Sequence, residues 1–360
     1  MRPRVLFVGR TRYHLPLPES LARKWDALSE RMDVRVLASG HGRDPRFHLV
    51  APRHLDGPRF YASLPFEVVR ELREFRPDVI VAESPYEGVA AELARRRLRS
   101  AVKLVIEVHG DWHTSTRLYG APMRRVVAPV GDGAAGWALR HADGHRAISP
   151  FTASLVRGLG REPLGVFPTY SDLEAFAGPT APIPPESRAL FVGVLERYKD
   201  VEGLAAAWRL VTGRLPAAEL RLVGSGTQNG VASALVNEGA RWDRRLEPKQ
   251  LATALDESRV LLLPSAAEGL GRVIVEAFLR GRPVVATRVG GIPDIVEHGR
   301  NGLLVESGDP SSLAGAIERV LAEPGLAEQL GLGAQESAPR WLSTPDEFAG
   351  RVLAVVQSVL

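Results

Sequence analysis

Cysteine is absent from the 360 residues, which excludes disulfides, thiolate nucleophiles and cysteine metal sites, and which suits a reducing cytoplasm. Also missing is any run of about eighteen uncharged apolar residues, so no membrane-spanning helix is expected. The opening apolar run, Val5 to Val8, reads as a first strand too short for a signal peptide. No Asp-x-Asp triplet occurs, and His, Asp and Glu nowhere fall at metal-ligand spacing, so neither a metal nor another cofactor is expected. Lysine is scarce: Lys24, Lys103, Lys199 and Lys249 stand among 46 basic residues.

What is present is ordinary globular material, 45% hydrophobic and 24% charged, in a chain longer than one core usually organises. Two domains are therefore expected. The net charge of +4 hides an asymmetry, with 27 basic and 18 acidic residues through position 165 but 19 and 24 beyond it. The N-terminal half is the side suited to an anionic partner. Arg95, Arg96, Arg97 and Arg99, with Arg124 and Arg125, form either a patch for acidic lipid headgroups or an anionic acceptor, or simply a solvated helix face. Nucleic acid is not an expected partner.

Short β-branched runs at Val5 to Val8, Val34 to Ala38, Val79 to Ala82 and Leu104 to Val108 alternate with helical patterns, which predicts a parallel sheet. A second series follows at Ala189 to Gly193, Leu220 to Val223, Val260 to Leu263, Pro283 to Ala286 and Gly302 to Val305. The fold class is thus α/β, with two doubly wound domains facing across a cleft. Boundaries are expected at 1–167, a proline-punctuated linker at 168–187, a second domain at 188–345 and an amphipathic terminal helix at 346–360.

The most informative segment runs from Val260 to Arg280. A buried strand ends at Pro264, a loop with Glu268, Gly269, Leu270 and Gly271 follows, and a helix starts near Arg272. Such a helix start favours an anion, because its first amides lack intrahelical partners and the dipole is positive there. Glycines at 269 and 271 let phosphate oxygens approach the backbone. Glu276 lies one turn into an apolar helix, where its carboxylate needs donors such as a ribose diol. Glu268 is placed to accept from sugar hydroxyls; the alternative is two solvent-facing carboxylates around a plain loop.

A second segment puts Gly193 at a strand end and Lys199 six residues on, where a compact ammonium can meet a diphosphate or be an ordinary surface lysine. Arg288 to Asp294 again runs from a strand into a helix and borders that pocket or forms a structural turn. The Asn301-Gly302 turn and the Asp309 helix cap read as scaffold.

Together the Gly193 to Lys199 spacing, the Glu268-Gly-Leu-Gly271 loop with Glu276, the Val-Gly-Gly-Ile-Pro-Asp run and the Asn-Gly-Leu-Leu-Val turn resemble the C-terminal half of retaining glycosyltransferases of family 4, over roughly residues 188 to 323. The resemblance implies the GT-B fold and transfer of a sugar from a nucleoside-diphosphate sugar to a glycan or lipid-linked acceptor. It implies Lys199 on the donor diphosphate with amides of Leu270 and Gly271, Glu276 on the ribose and Glu268 on the transferred sugar. His109, in Glu107-Val-His-Gly-Asp111, is similar to the family's histidine that reaches the donor sugar.

Val194 stands where the family has arginine, and Arg197 or Arg272 is the expected substitute. In place of paired glycines after the first strand the chain has Gly9 to His14, so Gly9 and Tyr13 join Glu83, Tyr86, Asp111 and His113 as acceptor-side candidates. The base is expected against the loop Arg241 to Leu246. Cell-surface polysaccharide or glycolipid assembly in the cytoplasm, with peripheral contact on an anionic membrane face, is the expected context. Three competing readings remain: a nucleotide-sugar epimerase of the same fold, a silent nucleotide-sugar-binding protein, and a nicotinamide oxidoreductase using Gly224-Ser-Gly226.

Overall fold

A computed structural model describes residues 2–52, 56–118 and 124–360. The chain divides into two compact units. The first comprises Met1–His113, Arg125–Asp172 and Ser343–Leu360, and the second Leu173–Leu342 together with Thr114–Arg124.

The first unit holds a seven-stranded parallel sheet of β1 (Arg4–His14), β2 (Asp33–His41), β3 (Phe47–Val50), β4 (Val79–Ala82), β5 (Lys103–Val108), β6 (Gly144–Ala147) and β7 (Gly165–Val166). Their spatial order is β3-β2-β1-β4-β5-β6-β7, so strand order reverses between β1 and β4. Alternate residues bury on opposite faces: Leu6, Ile80, Leu104 and Ile106 on one, Val5, Phe7, Val81 and Val105 on the other. The helix Pro345–Gln357 packs on that second face through Phe348, Val352 and Val355.

The second unit repeats the scheme with β8 (Arg188–Val192), β9 (Glu219–Val223), β10 (Arg241–Asp243), β11 (Val260–Leu263), β12 (Val284–Thr287) and β13 (Gly302–Val305). Their order is β10-β9-β8-β11-β12-β13, and the reversal lies between β8 and β11. The uninterrupted apolar run of β11 is explained by burial on both sides. Leu262 joins Phe191 and Trp208, whereas Leu261 and Leu263 join Leu190, Ile274 and Phe278.

Several elements differ from the sequence pattern. The strand from Arg4 continues through Gly9 to His14, shifting register between Val8 and Arg12, so these residues form a bulged strand and not a loop. Tyr13 is thereby turned into the core, 3% exposed, with its ring 5.1 Å from that of Phe47 and 6.2 Å from that of Trp25. Arg241–Asp243, expected within a loop, forms the edge strand β10. The proline-rich stretch is strapped to the second unit rather than hanging free. Arg280 donates to Pro179 O at 3.0 Å, Arg282 to Ala181 O at 2.9 Å and Arg259 to Pro184 O at 3.0 Å, which satisfies carbonyls that no regular element serves.

Candidate active site

In open parallel sheets, ligands bind beyond the carboxyl ends of the strands where strand order reverses. In the second unit that place is built by the loops leaving β8 and β11. Past β8, Gly193 lies against the stem of Lys199, and Arg197–Lys199 form a single 3-10 turn. The turn is fixed from two sides. Glu196 accepts from Thr227 N at 3.2 Å and Thr227 Oγ1 at 2.8 Å, and Tyr198 O accepts from Ala266 N at 2.8 Å. Lys199, its side chain 10% exposed, points at the β11 loop and donates from Nζ to Glu268 Oε2 at 2.5 Å.

The Glu268 loop is held in turn by the Val-Gly-Gly run after β12. Gly291 N donates to Glu268 O at 3.0 Å, and Gly290, at φ 54°, packs so closely that a β-carbon would lie 1.9 Å from Glu268 O. Gly269 and Leu270 remain half-buried between Glu268 and the next helix. Gly271, at φ 85°, starts the helix Arg272–Leu279 without any side-chain cap. Of the first-turn amides, Ile274 N is served by Gly271 O at 2.9 Å, and those before it suit an outside acceptor. One turn on, Glu276 is 4% exposed and meets the exposed Arg272 guanidinium, with Nε 3.0 Å from Oε1. Burial pushes the Glu276 carboxyl above its ordinary range, and Arg272 offsets only part of that rise.

In the first unit, candidates gather at the bulge of β1 and past β4 and β5. Gly9 leaves room for the Glu83 carboxylate, whose Oε2 accepts from Thr11 Oγ1 at 2.9 Å. His109 follows β5, partly exposed, with Nε2 2.9 Å from Glu107 Oε2. Glu107 is buried, which opposes its charge. The Arg146 guanidinium and the His109 ring prevail and hold its carboxyl well below the usual carboxylate range. Asp111 accepts from His113 N at 2.9 Å and so opens the helix Trp112–Leu118, while Tyr86 donates to Trp112 O at 3.0 Å.

Comparison with known proteins now bears on these loops. Residues 186–323 match the family model described as glycosyl transferases group 1, and residues 18–168 match that of the glycosyl transferase 4-like domain. The chain belongs to the group 1 glycosyltransferases of family 4. It is 32% identical over 159 residues to the D-inositol 3-phosphate glycosyltransferase of Corynebacterium diphtheriae, a match covering 41% of this chain and 37% of that relative. The chain thus matches little more than a third of that curated relative's length.

Among solved structures it is similar to sucrose-phosphate synthase from Thermosynechococcus elongatus, with a TM-score of 0.76, 20% identity and 99% of both chains covered. It is also similar to the Anabaena protein HepE crystallised with UDP-glucose, with a TM-score of 0.70, 18% identity and 99% of both chains covered. Both likenesses concern the fold, which is GT-B.

The structure places Gly193, Lys199, Glu268 and Gly271 in neighbouring loops of one unit, and Glu276 in the helix that follows them. Of the two arginines expected to replace the one missing at Val194, Arg272 pairs with Glu276, and Arg197 sits half-buried in the Lys199 turn. Tyr13 is corrected to a core residue, because the strand bulge turns its ring inward.

The Gly224-Ser-Gly226 fragment is filled by protein. β-carbons at Gly224 and Gly226 would lie 1.9 Å from Gly193 O and 2.4 Å from Leu195 O, so these glycines serve the close packing of the neighbouring loop. Arg95 and Arg96 are committed to Glu92, and Arg96 also stacks 4.9 Å over Trp137, whereas Arg97 and Arg99 are exposed. The side chains of Arg124 and Arg125 lie outside the described residues. Among the described residues no group of three or more His, Asp or Glu is gathered as a metal ion requires, and no helix is long and apolar enough to cross a membrane.

Sequence reasoning missed Glu107, Arg146, Glu196 and Thr227. Of these only Glu107 carries a sequence signal, a charge inside the apolar run Leu104 to Val108.

Proposed function

We propose that the chain transfers a sugar from a nucleoside-diphosphate sugar to a glycan or lipid-linked acceptor, with retention of anomeric configuration and without a metal ion. The observation that carries this reading is the contact of Lys199 with Glu268, in the loop that leads to the uncapped helix start at Gly271 and on to buried Glu276. Departure of a diphosphate builds negative charge on its oxygens while the sugar becomes cation-like. An ammonium and backbone amides already fixed in place stabilise that charge without reorganising.

In this reading the diphosphate takes the Lys199 ammonium from Glu268, which turns to the hydroxyls of the transferred sugar. Glu276 accepts from the ribose diol, which supplies donors to a desolvated carboxylate. His109 serves a sugar hydroxyl, Gly9, Glu83 and Asp111 line the acceptor side, and the leaving phosphate takes the acceptor's proton. The name of the Corynebacterium relative favours a small phosphorylated polyol among acceptors to test, and the HepE complex favours uridine nucleotides as the first donors to try. A place in cell-surface glycan assembly on the cytoplasmic membrane face is supported by the surplus of 27 basic over 18 acidic residues through position 165.

The test is a thermal-shift panel of UDP, GDP, ADP and TDP with and without a chelator, followed by product analysis. A ligand at a hundred times its Kd stabilises by about 2.7 kcal/mol, enough to rank the four. The matching sugar nucleotide should then be consumed only with acceptor, and equally well with chelator, giving a product of unchanged anomeric configuration by NMR. No shift with any nucleotide would remove the reading; isomerised donor without acceptor would indicate an epimerase instead.

A further inference from the structure

Behind His109 lie two charged groups that the donor site does not use. Glu107 and Arg146 are register partners on the adjacent strands β5 and β6, and both are buried, at 7% and 1% exposure. Arg146 is held through both terminal nitrogens and one face of its guanidinium. Its Nη1 donates to Phe167 O at 3.0 Å, its Nη2 to Thr169 Oγ1 at 3.2 Å, and its guanidinium lies 4.7 Å over the Phe167 ring. The remaining nitrogen, Nε, faces Glu107 Oε1 at 2.8 Å as an ion pair without hydrogen-bond geometry.

The other Glu107 oxygen, Oε2, is the one 2.9 Å from His109 Nε2. Three side chains thus connect the sheet interior to the exposed ring. Lys24, from the helix Glu19–Arg31, and Glu83, past β4, share the same electrostatic neighbourhood.

An interior pair of opposite charges is seldom more stabilising than two apolar side chains, so stability alone does not account for it. Its chemistry does. An ionised carboxylate has only lone pairs to offer, so the ring nitrogen it faces must carry hydrogen. We propose that Glu107, anchored by Arg146, is a positioning residue for sugar transfer, holding the His109 ring in one orientation with hydrogen on Nε2 so that Nδ1 is the atom presented to the sugar. In the neutral ring Nδ1 then accepts from a sugar hydroxyl. This inference rests on the proposed transfer reaction.

The test is Glu107→Gln. Arg146 requires an acceptor, so the new amide turns its oxygen to the guanidinium and its NH2 to the histidine. The ring must then accept at Nε2 and carry its hydrogen on Nδ1. The expected result is a fall in kcat of roughly 10- to 100-fold, the usual loss when an orienting partner of a functional histidine is removed. The nucleotide-induced thermal shift should be unchanged, and the ring ¹⁵N spectrum should show the hydrogen moved to Nδ1.

If that variant does not fold, the wild-type spectrum decides, with His109 assigned by the signals lost in His109→Gln. Hydrogen on Nε2 supports the proposal. Hydrogen on Nδ1, a ring exchanging between both forms, or a folded Glu107→Gln variant with unchanged kcat overturns it. Failure of every sugar nucleotide as donor, with Nε2 still protonated, would defeat the transfer reading and leave the Glu107–His109 coupling standing.

Discussion

Lys199 and Glu268, 69 positions apart in the chain, meet as a largely buried ion pair joining the loops that leave two neighbouring strands of one sheet. Removing one partner of such a pair strands the other charge, at a cost of about 3–5 kcal/mol. Lys199→Ala should therefore lose both stability and turnover, with kcat falling on the order of 100-fold as when one preorganised donor to a developing anion is deleted. Adding Glu268→Gln should restore most of the stability and none of the turnover. Chemical denaturation beside initial rates separates the two effects, and recovery of turnover in the double variant would take Lys199 off the diphosphate.

Glu276 carries a cost that a ligand can relieve. Its folded-state carboxyl is raised above the ordinary 4.5 by burial, with Arg272 in partial opposition. As pH rises through 4.5 the unfolded chain releases this proton first. Over the window from there up to the raised folded value the native state binds more protons, so this group's contribution to stability falls with increasing pH. Glu276→Gln should remove that fall and melt higher than the wild type at neutral pH. The same change should weaken nucleotide binding by roughly 10- to 100-fold, as expected for lost hydrogen bonds to a charged group. Melting curves across pH and nucleotide titrations check both; a variant that binds nucleotide as tightly as the wild type would clear Glu276 of contact with the ribose.

These two residues also show what a sequence can reveal. Glu276 is legible because a lone carboxylate inside Val273 to Leu279 contradicts its surroundings, and β11 is legible because burial on both faces demands an unbroken apolar run. The strand β6 is not, since Gly-His-Arg-Ala has no strand pattern. Its polar side chains are buried because partners outside the strand receive them, Leu139 O, six positions back, for His145 at 2.8 Å and Glu107, on the neighbouring strand, for Arg146. Tyr13 escaped for a related reason: a register shift between Val8 and Arg12 decides which way its ring points, and the residue types there do not announce it. Local pattern reports burial well where burial is apolar, and poorly where pairing or a bulge overrides the period.

Gly290 supports Glu268 by having no side chain. Alanine there would bring a β-carbon to 1.9 Å from Glu268 O and would also occupy φ 54°, a region that costs a non-glycine residue about 1–2 kcal/mol. The loop must therefore move. Gly290→Ala should lower Tm and displace Glu268 from Lys199, with a larger proportional loss in kcat than in nucleotide affinity, because the diphosphate keeps its amides and ammonium. Parallel measurement of Kd and kcat tests this, and equal losses in both would mean that the run supports the nucleotide pocket as a whole.

The last helix makes a prediction about stability within the first unit. Phe348 is 3% exposed, its ring 6.0 Å from that of Phe167 and 6.1 Å from that of Tyr170. Two cations adjoin the same ring, Lys24 Nζ at 5.7 Å and the Arg146 guanidinium at 5.8 Å. Phe348→Ala thus opens a cavity and strips a π face from two desolvated charges. Large-to-small changes of this kind cost about 3–5 kcal/mol, and at roughly 2–4 °C per kcal/mol in a domain of this size Tm should fall by about 10 °C. Phe348→Leu keeps most of the volume and loses the π face, so the difference between the two variants reports mainly the packing contribution. If Phe348→Ala lowered stability by less than about 1 kcal/mol, an amount ordinary for a surface change, the terminal helix would not be part of the first unit's core.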